Sequence, residues 1–413
     1  MYRYRGDPNI GIGVLGMIDD NVGISECGTD SVVKNAIINS FVETQRLEMH
    51  KDKSMVTHIG SANKCDQPCP NLQVHTNKMP EATNIKYLGN IITSKGGHRA
   101  TIEDRMNKGW GKVASIMGIL GEVEMGAHRM KVGLLLRKAI LTSSLLFSAE
   151  AWSAVTDAEL HRLEQVDSSL LKSLAKGHSK TPVVFHHLET GTLKLRHILM
   201  KHRLLYHHHI ITREDTETIK KIYYKQKEAQ IKGDWLELVK KDFLFLGIEM
   251  NESEIKLTNK LEYKKKIKRL LYKAAFSEYI KEKAEKSKLN QLEYKTLHLQ
   301  QYLTEPGFTY KEIYLLYSLR SRSHPAKNNY RKMYNGQIQC TFDCLSDENQ
   351  QHIFEECKPL REGLHLKEGI KLQDVYGDIK LQKAAISNFI QIEEKRVDLK
   401  KKLEETPCIY IHK

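Results

Sequence analysis

Proline, aromatic residues and cysteine are all scarce in this sequence, and each scarcity removes a class of protein. Only 9 prolines and 8% aromatic residues occur among 413 positions, which suits a globular and largely helical chain. Seven cysteines, an odd number spread thinly, argue against a disulfide scaffold and for a reducing, intracellular setting, nuclear or cytoplasmic. Long apolar runs are missing too. The most apolar stretch, Ala139 to Val155, contains Thr142, Ser143, Ser144 and Glu150, so it is too short and too polar to span a bilayer and no membrane partner is expected. Met1 to Pro8 lacks the apolar segment of a signal peptide. Neither a Gly-rich phosphate loop nor a Gly-x-Ser-x-Gly elbow occurs.

What the chain does have is positive charge. Lys plus Arg number 65 against 51 acids, a net +14, which makes a polyanion the expected partner. Its length calls for two or more folded units. Residues 1–95 read as β-rich: Ile10 to Ile18 is a Gly-punctuated apolar run, Asp19-Asp20-Asn21 a turn, and Val22 to Ser25 a return strand. Thr29 can cap a helix with apolar positions Val33, Ile37 and Phe41. A strand at Met55 to Ile59 and a hairpin around Tyr87 to Ile92 follow.

From His98 the apolar period is helical. Ile102, Met106, Trp110, Val113, Met117 and Leu120 form one core stripe. Thr156 and Glu159 make a capping box ahead of Leu160, Leu163, Val166, Leu170 and Leu174, and another helix is expected from Leu195 to Thr212. Further on, Lys260 to Lys288 gathers Lys264, Lys265, Lys266, Lys268 and Arg269 beside an apolar stripe of Tyr263, Ile267, Leu270, Leu271 and Ala274. That helix reads either as a docked element with a solvated basic face or as a surface that neutralises a nucleic-acid backbone. His207, His208 and His209 point in different directions around a helix and cannot converge on one ion.

Two constellations carry chemistry. Asp19-Asp20 puts adjacent carboxylates in a hairpin turn, and magnesium uses such oxygens to bridge phosphates in two-metal phosphoryl transfer. Aspartate is also an ordinary turn residue, so a plain turn stays open. The second is Cys340-x3-Cys344-x7-His352-x4-Cys357, which reads either as three thiolates and an imidazole in a closed, structural tetrahedral zinc site or as unmetallated loop cysteines. Arg320, Arg322, Lys327, Arg331 and Lys332 supply charge near it, and Tyr330 and Tyr334 supply rings that can stack on bases. The polar tract Ser346 to Gln351 implies that metal contributes much of the folding of this segment. Cys65-x3-Cys69 with His58 and His75 reads either as a second zinc site or as a Pro-containing loop.

Gly13 to Asp20, a helix, Leu47 to Ser54 and Lys86-Tyr87-Leu88-Gly89 follow one another in an order that resembles the palm of reverse transcriptases. The specific resemblance is to those of non-LTR (LINE-type) retrotransposons. It implies that Asp19 and Asp20 hold catalytic magnesium, that Lys53 lies near the incoming nucleotide, and that Tyr87, Leu88 and Gly89 grip the primer strand. Leu188-Glu189-Thr190-Gly191, then Leu195-Arg196, and Leu319-Arg320-Ser321-Arg322 ahead of Asn329-Tyr330 are similar to segments that follow the thumb in these elements. The cysteine cluster is similar to the CCHC zinc knuckle near their carboxyl end. Met17 and Ile18 stand where members often carry an aromatic residue and alanine. In the family, a further metal-binding aspartate and the fingers precede the hairpin, whereas only residues 1–18 precede Asp19 here.

The expected fold class is therefore mainly α, with a small incomplete α/β palm piece at 1–95 and a helical thumb and following bundle at 96–212. A basic helical connector is expected at 213–335, a CCHC zinc knuckle at 336–360 and a Lys/Glu-rich helix at 361–413. The function this implies is that of a fragment of an RNA-directed DNA polymerase, inactive alone, that binds RNA or DNA and pairs with the missing amino-terminal half. The alternative is a repurposed, non-catalytic zinc-knuckle RNA- or DNA-binding protein. Structural zinc is the expected cofactor, with magnesium only where the full palm is present.

Overall fold

Short antiparallel strand pairs, one of them turned at Leu88-Gly89, make hairpins in the first part of the chain, and sustained three-to-four spacing makes helices in the rest. The computed structural model describes residues 14–17, 20–25, 28–50, 53–59, 72–74, 77–121, 128–153, 155–342 and 344–405, with the backbone alone for 14–17, 20 and 21. It is 62% helical and 5% strand, which settles the class as mainly α. Strands β1 (Val14–Met17) and β2 (Asp20–Gly23) pair antiparallel with Met17 opposite Asp20. Helix α1 (Gly28–Thr44) follows, then the antiparallel pairs β3 (Gln73–Val74) with β4 (Asn77–Lys78) and β5 (Asn84–Tyr87) with β6 (Asn90–Thr93). Leu88 and Gly89 turn the last hairpin with φ of 45° and 76°, the left-handed pair that matches strand twist.

The remaining labelled elements are helical. They are α2 (Arg99–Gly121), α3 (His128–Leu136), α4 (Ser143–Leu145), α5 (Asp157–Leu174), α6 (Val183–Thr190), α7 (Leu195–Ile211) and α8 (Thr218–Ala229), followed by α9 (Trp235–Phe245), α10 (Glu252–Leu257), α11 (Lys260–Ala284), α12 (Tyr310–Arg320), α13 (Lys358–Arg361) and α14 (Ile379–Glu405). The Thr156 capping box forms as expected: Thr156 N donates to Glu159 Oε2 and Glu159 N donates to Thr156 Oγ1. Leu163, Val166, Leu170 and Leu174 of α5 are then fully buried. Among the described residues, no helix is long and apolar enough to cross a membrane.

Three local expectations fail. The segment Met55 to Ile59 is no strand; only Val56 makes an isolated bridge, to Glu81. Trp110 is exposed, because the buried face of α2 runs through Ile102, Arg105, Val113, Ile116 and Leu120, one residue off the expected stripe at its centre. Val33, Ile37 and Phe41 are exposed as well, so the apolar face of α1 has no cover among the described residues.

The chain divides into two compact units, and neither is continuous in sequence. The first comprises Met1–Gly109, Ser143–Glu164 and Leu195–Leu271; the second comprises Trp110–Thr142, Gln165–Lys194 and Tyr272–Lys413. In the first, Leu145, Leu163, Leu199, Val239, Phe243 and Ile267 are core residues. Here Arg105 lies over the Trp152 ring at 4.6 Å and donates to Asn90 Oδ1, which ties the β5–β6 hairpin to α2. His207 and His208 are both buried and turn to different partners, the Tyr223 hydroxyl and the Thr258 carbonyl. Burial holds the His207 ring down to about 4, so it is a neutral core residue. In the second unit Phe185, Leu188, Tyr302, Leu316, Tyr317, Phe354 and Phe389 are core. Each such side chain contributes about 1.5–3 kcal/mol by leaving water.

Candidate metal centre

A narrow hairpin and one wide helical turn in the second unit build the site. Glu348 N donates to Ile338 O, Gln339 bridges Asp347, and Cys340 N donates to Ser346 O at 2.8 Å. This ladder brings Cys340 and Cys344 to the same end of the hairpin. Asn349 Oδ1 then accepts from His352 N and starts a π-helical turn, His352–Glu356. Its i→i+5 bond, from Cys357 N to His352 O at 2.7 Å, sets the imidazole and the third sulfur on one side.

The ligand atoms of Cys340, Cys344, His352 and Cys357 all lie within 4.8 Å of one another. The Cys344 and Cys357 sulfurs are 3.5 Å apart, and those of Cys340 and Cys357 are 3.9 Å apart. Tetrahedral zinc, with bonds of about 2.3 Å to sulfur, needs sulfurs separated by roughly 3.8 Å, close to both of these separations. A second observation points the same way. His352 is buried, yet neither ring nitrogen has a hydrogen-bond partner, which an ion bound to the ring would explain. Glu356 Oε2 lies 3.6 Å from Nδ1. Phe342 N donates to Cys340 Sγ, a contact that orients the sulfur. Burial pushes the Cys340 and Cys357 thiols up, so a cation that binds here must displace their protons.

The hairpin is anchored to the long carboxyl-side helix. Glu348 is 1% exposed and pairs with Arg396 of α14 at 2.6 Å. Its other oxygen accepts from Thr341 N and Oγ1, inside the ligand loop. Burial would raise the Glu348 carboxyl, but the Thr341 hydroxyl and Arg396 hold it below the usual carboxylate range. Arg396 also donates to Pro325 O and Glu393, and Phe354 packs on Phe389 at 4.3 Å. Thus α14, within the segment expected as a Lys/Glu-rich helix, also has a buried side: Ala385, Ile386, Phe389, Ile392 and Arg396 are buried. The polar tract Ser346 to Gln351 likewise buries Glu348 and Gln350, so metal is not the sole source of order there.

The other expected site residues are placed as follows. Asp19, Cys65, Cys69 and His75 lie outside the described residues, and Asp20 is described by its backbone in β2. Lys53 and Leu88 are exposed, and Tyr87 and Gly89 are half-buried at the β5–β6 turn. On α11, Lys264, Lys265, Lys268 and Arg269 are exposed, while Lys266 is half-buried and paired with Glu254. Tyr263, Ile267 and Leu271 form the buried stripe beneath them. Arg331, Lys332 and Tyr334 are exposed, whereas Lys327 donates to Gln339 O and Tyr330 to Ser323 O. Arg322 is half-buried beside Tyr376.

Arg320 requires a correction. It is 4% exposed and makes a two-pronged ion pair with Glu189, with Nη1 on Val375 O. The hydroxyls of Tyr294 and Tyr302 complete the shell of Glu189. A guanidinium so enclosed cannot also contact a nucleic acid. Sequence reasoning did not find Glu189, Glu348 or Arg396 as site residues, because each pairing joins distant segments and leaves no local pattern. Comparison with protein-family models, with curated proteins and with solved structures finds no match to this chain.

Proposed function

We propose that this chain is the carboxyl-side part of a LINE-type reverse transcriptase and that it acts, as it stands, by binding RNA or DNA. The carrying observation is the convergence of Cys340, Cys344, His352 and Cys357, at knuckle-like spacing, into one set of metal-ligating atoms. A closed Cys3His set leaves no open coordination position, so zinc there would hold a folded surface together and not hydrolyse a substrate. The exposed bases of α11 and the net charge of +14 support a polyanionic partner. Magnesium at Asp19 and Asp20, the gripping role of Tyr87, Leu88 and Gly89, and the nucleotide-side role of Lys53 rest on the resemblance. A repurposed zinc-dependent binding protein without catalysis is the second reading, and the same metal centre favours it equally.

The test has three parts. Metal analysis of the purified chain should find about one equivalent of tightly held zinc, and its affinity for nucleic acid should fall steeply with salt. Primer extension on an RNA template with magnesium or manganese is expected to be absent for the chain by itself under both readings. Synthesis abolished by Asp19→Ala would establish the polymerase reading for this chain by itself. Absence of both zinc and salt-dependent binding would refute the proposal.

A further inference from the structure

Tyr330 gathers positive charge from three separate stretches of the second unit. The His178 ring lies 4.8 Å from the Tyr330 ring, and Lys288 Nζ lies over the same ring at 5.8 Å. The Tyr330 hydroxyl donates to Ser323 O, next to Arg322. Lys180 follows two residues after His178, and its backbone N–H donates to His178 Nδ1 at 3.1 Å. That bond puts the hydrogen of the neutral ring on Nε2, where no acceptor among the described residues takes it.

These charges have no counter-charge. Lys180 and Lys288 are exposed, and among the described residues no carboxylate pairs with either of them or with Arg322. Other lysines of this unit are paired: Lys194 with Glu278 and Glu282, Lys311 with Glu394, and Lys383 with Glu312. Burial, then Lys180 and Arg322, hold the Lys288 ammonium below its usual value, and burial, then Lys180 and Lys288, do the same to the His178 imidazole. Arg322 stands beside the Tyr376 hydroxyl and adds its charge to that of Lys288. Like charges held together cost energy in the folded chain, and an anion seated among them relieves that repulsion. Three fixed positive charges exceed what one phosphodiester can neutralise, whereas a phosphomonoester brings about −1.5 to −2 and three acceptor oxygens. We propose that Lys180, Lys288 and His178, with Arg322 supplying further charge, form a binding site for a single phosphomonoester group. The site does not depend on the nucleic-acid reading above, because a small phosphate ester is a sufficient ligand.

The experiment titrates the full chain with methyl phosphate and with dimethyl phosphate at about pH 8, where the first is a dianion and the second a monoanion. Calorimetry should show methyl phosphate binding at least about tenfold more tightly. Lys180→Gln and Lys288→Gln should each weaken methyl phosphate by about tenfold. Without ligand, the melting temperature of both variants should hold or rise, because a repulsion has been removed. Lys380→Gln, which takes one charge from an exposed position on α14, should change neither quantity. Equal affinity for the two esters, or methyl phosphate affinity that both cluster variants leave unaltered, overturns the site. A 5′-phosphorylated oligonucleotide and its 5′-hydroxyl counterpart then identify the source of the group. A gain from the 5′-phosphate that Lys288→Gln abolishes makes it the end of a nucleic acid; methyl phosphate binding without that gain makes it a small free phosphoester.

Discussion

Glu189 and Arg320 stand 131 residues apart in the chain and meet as a buried, two-pronged ion pair, Nη2 to Oε1 at 2.9 Å and Nε to Oε2 at 3.2 Å. The pair explains two segments at once. In Leu188-Glu189-Thr190-Gly191, Leu188 is core, Glu189 takes the guanidinium, and Thr190 bridges Leu299. Gly191, at φ 63°, lets the backbone of His298 and Leu299 approach so closely that any Cβ would collide with it. In Leu319-Arg320-Ser321-Arg322, the first arginine is the partner of that glutamate. Both segments are structural.

Removing one partner strands the other charge in the core. Glu189→Gln or Arg320→Ala should therefore cost about 3–5 kcal/mol in denaturant unfolding. Gly191→Ala, which meets backbone atoms, should cost at least about 2 kcal/mol. None of the three should alter the salt slope of nucleic-acid binding at temperatures where the variant is folded. A changed slope for Arg320→Ala would put that guanidinium back on the binding surface.

At the metal centre, Ser in place of Cys340, Cys344 or Cys357 should remove the equivalent of zinc seen by metal analysis. Glu348→Gln breaks the anchor to Arg396 that sits behind the ligand loop, and zinc affinity should fall by about 10-fold or more while the ligands remain. Competition with a chromogenic chelator reads both effects. Equal zinc retention by Glu348→Gln would separate the anchor from the ligand set.

On α11 the charges are unequal in what they offer. Lys264, Lys265 and Arg269 are exposed, but Lys266 is paired with Glu254. Changing Lys264, Lys265 and Arg269 to Gln should lower the slope of log affinity against log salt by roughly 0.7–0.9 for each phosphate that is no longer neutralised. Lys266→Gln alone should move it little. An unchanged triple variant would mean that α11 presents only a solvated face.

Asp242 gives stability a pH dependence. It is buried beside Arg203 at 3.5 Å, and burial pushes its carboxyl up to about 7. A raised folded-state value means the native protein holds the proton more tightly than the unfolded chain. The contribution of Asp242 to stability should thus decline as pH rises from about 4 toward about 7 and level off beyond it. Asp242→Asn should remove that component of the stability–pH curve, followed by urea unfolding across the range. A curve identical to the wild type would show that Asp242 ionises normally.

Local patterns determined what the sequence by itself could decide about this chain. Capping chemistry at Thr156, the four-residue spacing of Tyr263, Ile267 and Leu271, and the turn at Leu88-Gly89 all act over a few residues, and all three formed. The four candidate metal ligands were legible for the same reason, since they span only Cys340 to Cys357. Tertiary structure decided which faces meet something. It put Arg320 inside against a glutamate 131 positions away, and it placed Arg396 behind the metal loop, 48 positions from Glu348. It also left Val33, Ile37 and Phe41 exposed on a helix whose apolar spacing is regular. Periodicity states that a face is apolar, but the energy of burying it depends on which distant segment arrives to cover it.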